Sequence, residues 1–156
     1  MPAAQVARVV TPEALARDAA WRAAAGASAL ACLRALARLA PLLDAAPLAW
    51  GVTGGVGFTL ASGIDVLRAD SDLDLLLRAA SPDDASALHA VARLLAGAEI
   101  RIDAQVETPR GAFALAEWLR TGGAVLLKTT AGPRLVDDPW RSAQRPVPGI
   151  GMRRAA

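Results

Sequence analysis

Trp50-Gly51-Val52-Thr53-Gly54-Gly55-Val56-Gly57-Phe58, followed by Ser71-Asp72-Leu73-Asp74-Leu75-Leu76-Leu77, is the stretch on which the fold turns; Asp72 comes 17 residues after Gly55. Leu48 to Thr53 reads as a buried strand and Gly54-Gly55 as a turn. Val56 to Ala61 reads as a short helix stopped at Gly63, and Asp72 to Leu77 as the next strand. In a strand, residues two apart point to the same face about 6.5–7 Å from each other. Asp72 and Asp74 therefore present both carboxylates to one side. Magnesium takes hard oxygen ligands, usually one or two carboxylates with phosphate oxygens completing the shell. Backbone N–H groups at a glycine turn approach phosphate closely, and the following helix aims its positive end at the same place. Thr53 or Thr59 adds a hydroxyl donor. A bare loop beside paired carboxylates points to nucleotidyl or phosphoryl transfer, with Mg2+ as one or two ions.

Downstream, Glu99 to Thr108 alternates: Ile100, Ile102, Ala104 and Val106 against Arg101, Asp103, Gln105 and Glu107. This predicts a half-buried strand with a polar working face. Asp103 is the candidate third carboxylate beside Asp72 and Asp74, and Glu107 is held in reserve. Between the two acidic strands, Ser81-Pro82-Asp83-Asp84 opens a helix that carries Leu88, Val91, Leu94 and Leu95 to Gly97. Ala112 to Arg120 is expected to be a helix after a Pro109-Arg110-Gly111 turn, and Ala124 to Thr129 a strand. Ala131-Gly132-Pro133 then turns into a short Arg134-Leu135-Val136 segment.

Toward the N-terminus, Thr11-Pro12-Glu13 supplies a cap, a first-turn proline and an acid at the positive dipole end. One helix is expected from there to about Ala25. A second runs from about Ser28 to Leu43 and is kinked or ended by Pro41, with Arg34 and Arg38 solvated beside its apolar stripe. The expected organisation is one catalytic domain over residues 1–140, its N-terminal helices within 1–45, and a flexible basic tail over 141–156. The fold class is α/β (α+β), a mixed sheet with flanking helices.

The composition excludes several classes. Of the residues 54% are hydrophobic, much of that alanine, and 21% are charged with both signs mixed, which is a globular balance. A net charge of +2 is too small to argue for nucleic acid, and 4% aromatics with no tyrosine provide no base-stacking platform. The uncharged run from Ala45 to Ile64 contains Pro47 and five glycines and is not a membrane span. Cys32 is the only cysteine, so no internal disulfide forms. With no signal peptide evident, this fits a reducing cytoplasm.

Trp50-Gly51-Val52-Thr53-Gly54-Gly55-Val56-Gly57-Phe58, Ala61-Ser62-Gly63 and Ser71-Asp72-Leu73-Asp74 form the first block of a wider pattern. Val106-Glu107-Thr108-Pro109-Arg110-Gly111-Ala112-Phe113-Ala114-Leu115 with Glu117-Trp118 is the second. Val125-Leu126-Leu127-Lys128-Thr129 with Gly132-Pro133, Leu135 and Trp140 is the third. In this order the chain resembles the phosphoribosyl-dephospho-CoA transferase family, the holo-acyl-carrier-protein synthase of malonate decarboxylase, within the nucleotidyltransferase superfamily. The resemblance covers roughly residues 5–142. It implies transfer of a phosphoribosyl-dephospho-CoA group from triphosphoribosyl-dephospho-CoA to a serine of the acyl carrier subunit of malonate decarboxylase, with release of pyrophosphate. It also implies that Asp72 and Asp74 hold magnesium against the triphosphate while Asp103 helps activate the serine hydroxyl.

The chain departs from the family in two places. Gly55 stands where many relatives have serine, and the chain starts late, so that an N-terminal segment is expected to be missing. Two other readings stay open: a nucleotidyltransferase with another acceptor, and a non-catalytic module that binds the carrier or a nucleotide.

Further candidates are cationic. Lys128, in an apolar strand, needs a phosphate or carboxylate partner or must snorkel. Arg110 and Arg134 sit in turns from which they grip phosphate or stay solvated; Arg68 and Arg101 are weaker versions of the same. His89 falls on the exposed side of its helix and is read as structural or solvated. Trp21 belongs to the amphipathic first helix, and Trp50, Trp118 and Trp140 are read as core or pocket wall. Cys32 is read as a small buried hydrophobe.

Overall fold

The computed structural model describes residues 8–141. Two short helices, α1 (Pro12–Arg17) and α2 (Ala19–Ala25), replace the single helix expected there. Asp18 separates them. Its backbone is extended, and its carboxylate accepts a hydrogen bond from the Ala20 N–H at 2.9 Å, so it stops one helix and caps the next. Thr11 caps α1 through the Ala14 N–H.

Helix α3 (Ala31–Asp44) starts three residues later than expected, because Ser28 turns back to accept from the Leu30 N–H. Arg34 is not merely solvated: its guanidinium donates to the Ser28 and Ala29 carbonyls and holds that turn. Pro41 lies inside α3, one turn from its end.

Six strands follow in sheet order: β1 (Ala49–Thr53), β2 (Leu73–Arg78), β3 (Ile102–Thr108), β4 (Gly111–Ala114), β5 (Val125–Thr129) and β6 (Gly132–Val136). Only β2 and β3 run parallel. Their parallel direction needs a crossover, which is built from a 3-10 turn (Pro82–Asp84) and α5 (Ala85–Ala96). The helix start expected at Ser81-Pro82-Asp83-Asp84 is there, and Ser81 and Asp84 form a reciprocal capping box at it. Helix α4 (Gly54–Ser62) joins β1 to β2 and ends on Gly63 in the left-handed conformation.

Residues 112–114 correct the sequence reading. They extend as β4, paired with β3, and α6 (Leu115–Thr121) starts only after Ala114. The cause is Gly111, at φ +150, where a side chain would run into the Lys128 carbonyl. The chain can thus fold back tightly and wedge a short strand between β3 and β5.

One face of the sheet carries Leu73, Leu75, Leu77, Val106, Phe113, Val125 and Leu127, all buried against α3, α5 and α6. The mixed sheet with flanking helices is the expected fold class. On the opposite face, α1 and α4 cover β1 and β2. The α1 backbone at Pro12 lies so close to Gly51 that no Cβ fits there, and Arg78 pairs with both Glu13 and Glu107. An outer brace ties α2 to α3: Arg22 donates to Asp44 at 2.6 Å, and the Trp50 indole N–H donates to the same carboxylate at 2.9 Å. Cys32 is buried, which pushes its thiol pKa up and suits an inert packing role. The expected tail from 142 onward lies outside the described residues. Arg141, just before it, pairs with Asp138. Among the described residues, no helix is long and apolar enough to cross a membrane.

Candidate active site

Sheet register builds the site. Thr53 pairs with Asp74 across β1–β2, and Asp74 pairs with Asp103 across β2–β3. Register partners share a face, so Thr53, Asp74 and Asp103 stand in one row across three strands, neighbouring strands being about 4.8 Å apart. Glu107 lies two rows further along, register-paired with Arg78 and bridged to its guanidinium at 2.6 Å. Asp103, rather than Glu107, is therefore the acid that stands beside Asp74. Asp72 precedes β2 and projects to the same side by strand parity.

Gly54 completes the row. It opens α4 at φ +60, and a Cβ placed on it would run into the Asp74 carboxylate. The backbone thus passes directly against Asp74, as only glycine allows without strain. Thr53 is the N-cap residue but makes no side-chain cap, so the first N–H groups of this nine-residue helix are left to other acceptors. Gly55 differs from Gly54. A Cβ there would meet only Leu67 Cδ2, at 3.5 Å, an ordinary contact, so the position has room for serine. Thr59 accepts from the Val66 N–H at 3.4 Å, which ties it to the α4–β2 connection.

Charge is imperfectly balanced here. The Asp74 pKa is raised above its ordinary 3.8, first by burial, then by the charges of Asp103 and Asp72, with Arg101 offsetting part of the effect. Arg101 reaches Asp103 at 3.1 Å and Asp72 at 3.8 Å. Sequence reasoning ranked Arg101 low. Its signal was position: it precedes β3 by one residue, at the strand end where the acids gather. Among the described residues, no three His, Cys, Asp or Glu side chains are already gathered around one point. The donor set that fits a divalent cation is Asp74 with Asp103, or Asp74 with Asp72, the remaining ligands coming from phosphate and water.

A cavity of about 660 Å³ opens at this row. Thr53, Gly54, Asp74 and Asp103 form its polar wall; Ala92 and Leu95 of α5 and Leu119 of α6 form an apolar cleft opposite. It exists because β4 pairs only with Gln105–Thr108, which leaves the edge of β3 bare from Ile102 to Ala104. Of the cleft residues, only Leu95 stood out in the sequence, and only as part of a helix stripe. Nothing local marks the missing strand neighbour that exposes them.

The cationic candidates lie elsewhere. Arg110 and Arg134 line a separate depression with Trp140, and Arg110 and Lys128 line another at the β3–β4 turn. Lys128 is exposed, since β5 alternates with Val125 and Leu127 inward and Leu126 and Lys128 outward. Of the two readings of Lys128, a paired ammonium or a snorkelling one, the exposed position fits the second. Trp21, Trp50 and Trp118 are buried and Trp140 partly so. Trp118 and Trp140 pack edge to face at 5.9 Å, and exposed His89 lies against Trp118 at 4.8 Å.

The fold and site define a mixed α/β domain that sets a glycine-led helix start beside a row of carboxylates. Comparison with known proteins supplies the particular family. The family model for the phosphoribosyl-dephospho-CoA transferase MdcG C-terminal domain matches residues 14–139, and the chain belongs to that family. It is similar to a phosphoribosyl-dephospho-CoA transferase of Pseudomonas putida (strain W619), 47% identical over 140 residues, which cover 90% of this chain and 65% of that protein. A protein of the same name from Azotobacter vinelandii is 46% identical over 145 residues, 90% of this chain and 66% of that protein. One from Klebsiella pneumoniae is 56% identical over 94 residues, 60% of this chain and 45% of that protein. The chain thus spans two thirds or less of the length of these relatives. No solved structure matches it.

Proposed function

We propose that this chain transfers a phosphoribosyl-dephospho-CoA group from triphosphoribosyl-dephospho-CoA to a serine of the acyl carrier subunit of malonate decarboxylase. The observation that carries this reading is the Thr53–Asp74–Asp103 row against Gly54, in a chain of this family. Pyrophosphate leaves: the serine oxygen forms a bond to the donor's α-phosphorus as the bond from that phosphorus to the pyrophosphate oxygen breaks.

Each residue has a role in this reading. The free N–H groups at the start of α4 hold the triphosphate oxygens, and Gly54 lets the backbone come that close. Asp103, at the outer end of the row, accepts the serine proton. Asp74 and Asp72 would hold magnesium, with phosphate oxygens and water as the remaining ligands. The ion, when bound, neutralises charge on the triphosphate. The apolar cleft of Ala92, Leu95 and Leu119 suits the uncharged arm of the donor. Arg101 leaves the carboxylates for phosphate when the donor arrives, an exchange of one anionic partner for another. Positioning and charge neutralisation dominate, since little covalent chemistry falls to the protein. The reaction belongs in the cytoplasm, where a lone reduced thiol such as Cys32 is at home.

Intact mass of the apo-carrier after incubation with this chain, magnesium and the triphosphate donor tests the reading. The expected result is a gain equal to the prosthetic group, lost with Asp74→Asn or with chelator. An unchanged mass, with a full-length relative active in parallel, overturns it.

A further inference from the structure

The face of the sheet that carries Asp74 and Asp103 does not end with them. Register extends it across the molecule. Leu76 pairs with Gln105 and Gln105 with Ala114; Arg78 pairs with Glu107, Glu107 with Ala112, Ala112 with Lys128, and Lys128 with Pro133. Leu126, two residues before Lys128, and its partner Leu135 share this face. Helices α1 and α4 cover only the β1–β2 side. From β3 onward no described residue covers the face: Ala114, Leu126, Lys128, Pro133 and Leu135 are exposed, Leu126 at 45% and Leu135 at 78%. Two large apolar side chains thus stand side by side on the surface, on the same face as the candidate carboxylates.

Two cations stand at this end. Lys128 lies on the face, and Arg110 projects from the adjoining β3–β4 turn. Among the described residues neither forms an ion pair with a carboxylate. Of the neighbouring acids, Glu107 is already bridged to Arg78, and Glu117 accepts a hydrogen bond from the Leu126 N–H at 3.2 Å. The sequence outside the described residues contains no aspartate or glutamate to offset them.

We infer that this open β3–β6 face docks the acceptor protein, through a patch on that protein that combines apolar side chains with negative charge. The inference rests on the proposed function for there being a protein acceptor, and on the fold for where it sits. A folded acceptor must bring a hydroxyl to Asp103. The approach over β1 and β2 is closed by α1 and α4, and the α5–α6 cleft lies around the bare edge of β3, on the other side of the sheet. The route left is across Ala114, Leu126 and Leu135. Leu126 and Leu135 lose water on docking, and Lys128 and Arg110 orient the partner and speed its encounter.

The test is direct binding of the apo-carrier subunit to the chain, by titration at two salt concentrations, for wild type, Leu135→Glu and Leu126→Ser. Donor binding is measured in parallel on the same samples. Leu135→Glu places a negative charge on a fully surfaced side chain, and Leu126→Ser only trims one, so at least the second retains the fold. The expected result is a rise in carrier Kd of tenfold or more for Leu135→Glu and severalfold for Leu126→Ser, with donor Kd unchanged. Wild-type affinity should fall with salt, and Lys128→Glu should weaken it further. Equal carrier affinity in all forms, or no carrier binding to wild type, overturns the docking surface. Carrier binding with this pattern but without mass gain in the transfer assay leaves the surface standing and overturns the transferase reading instead.

Discussion

At the residue scale, the two adjacent glycines of the helix start have different reasons to be glycine. Gly54 sits at φ +60 with its Cα against the Asp74 carboxylate, so Gly54→Ala both strains the backbone and displaces that carboxylate. It is expected to cost about 1–3 kcal/mol of stability and to lower transfer by 100-fold or more, read by denaturant titration and mass assay. Gly55→Ser meets only an ordinary contact to Leu67 and adds a hydroxyl beside the first-turn N–H groups. It is expected to fold as wild type and to tighten donor binding; weakened donor binding would sink the assignment of this turn to phosphate.

Asp74 carries an opposite trade. Its raised pKa means that the folded state is favoured below the ordinary 3.8, and that this advantage is lost as pH rises through the raised value. Ionised Asp74 is therefore a cost to stability at neutral pH. Asp74→Asn is expected to melt no lower than wild type at pH 7, the difference shrinking below pH 3.8, while transfer falls about 100-fold or more, as when other preorganised charge-stabilising groups are removed. A variant that melts well below wild type at pH 7 would show Asp74 to be a structural anchor rather than a functional acid.

At the element scale, one acid gathers the polar contacts that tie α2 to α3 and β1. Asp44 accepts from Arg22 and from the Trp50 indole, and the Arg22 bond is the main reason its pKa is lowered. A lowered folded pKa contributes stability that is present above the ordinary 3.8 and lost as pH falls through the folded value. The carboxylate is 43% exposed, so solvent screens most of the ion pair, and the part-buried indole bond carries what remains. Asp44→Ala is expected to cost about 1 kcal/mol at pH 7 and close to nothing at pH 2, read as the difference between pH-dependent urea midpoints. A difference independent of pH would mean that the loss is packing, not charge. Neither this brace nor the break at Asp18 was legible in the sequence. Asp18 sits in an unbroken alanine-rich helical pattern, and Arg22, Asp44 and Trp50 are linked only once β1 has been laid beside α3. Helix α5 was legible to within a residue or two, because its capping box and Gly97 are local signals.

At the scale of the whole molecule, legibility follows the same division. The carboxylate row was half readable: Asp72 and Asp74 share a face by strand parity alone, and the alternation from Ile100 to Glu107 put Asp103 on a polar face. That Asp103 neighbours Asp74, while Glu107 is spent on Arg78, needs the parallel β2–β3 register, which no local pattern encodes. Misreading 112–114 as helix hid the short strand that leaves the edge of β3 bare, and with it the cavity.

The same sheet order predicts uneven stability. Strand β2 lies between two partners, with Leu73, Leu75 and Leu77 buried in the core, whereas β6, among the described residues, is an edge strand resting on β5 alone and exposing Pro133, Arg134 and Leu135. Backbone amides in the centre of β2 should exchange with deuterium only through global unfolding, and those of β6 through local fraying several kcal/mol cheaper. Leu75→Ala, which costs about 2–5 kcal/mol for a buried leucine, should therefore speed exchange in β2 by the full factor its ΔΔG dictates while leaving β6 nearly unchanged. If β6 accelerated in step with β2, the hairpin would unfold only with the core, and the open face would be a rigid continuation of the site rather than a compliant edge.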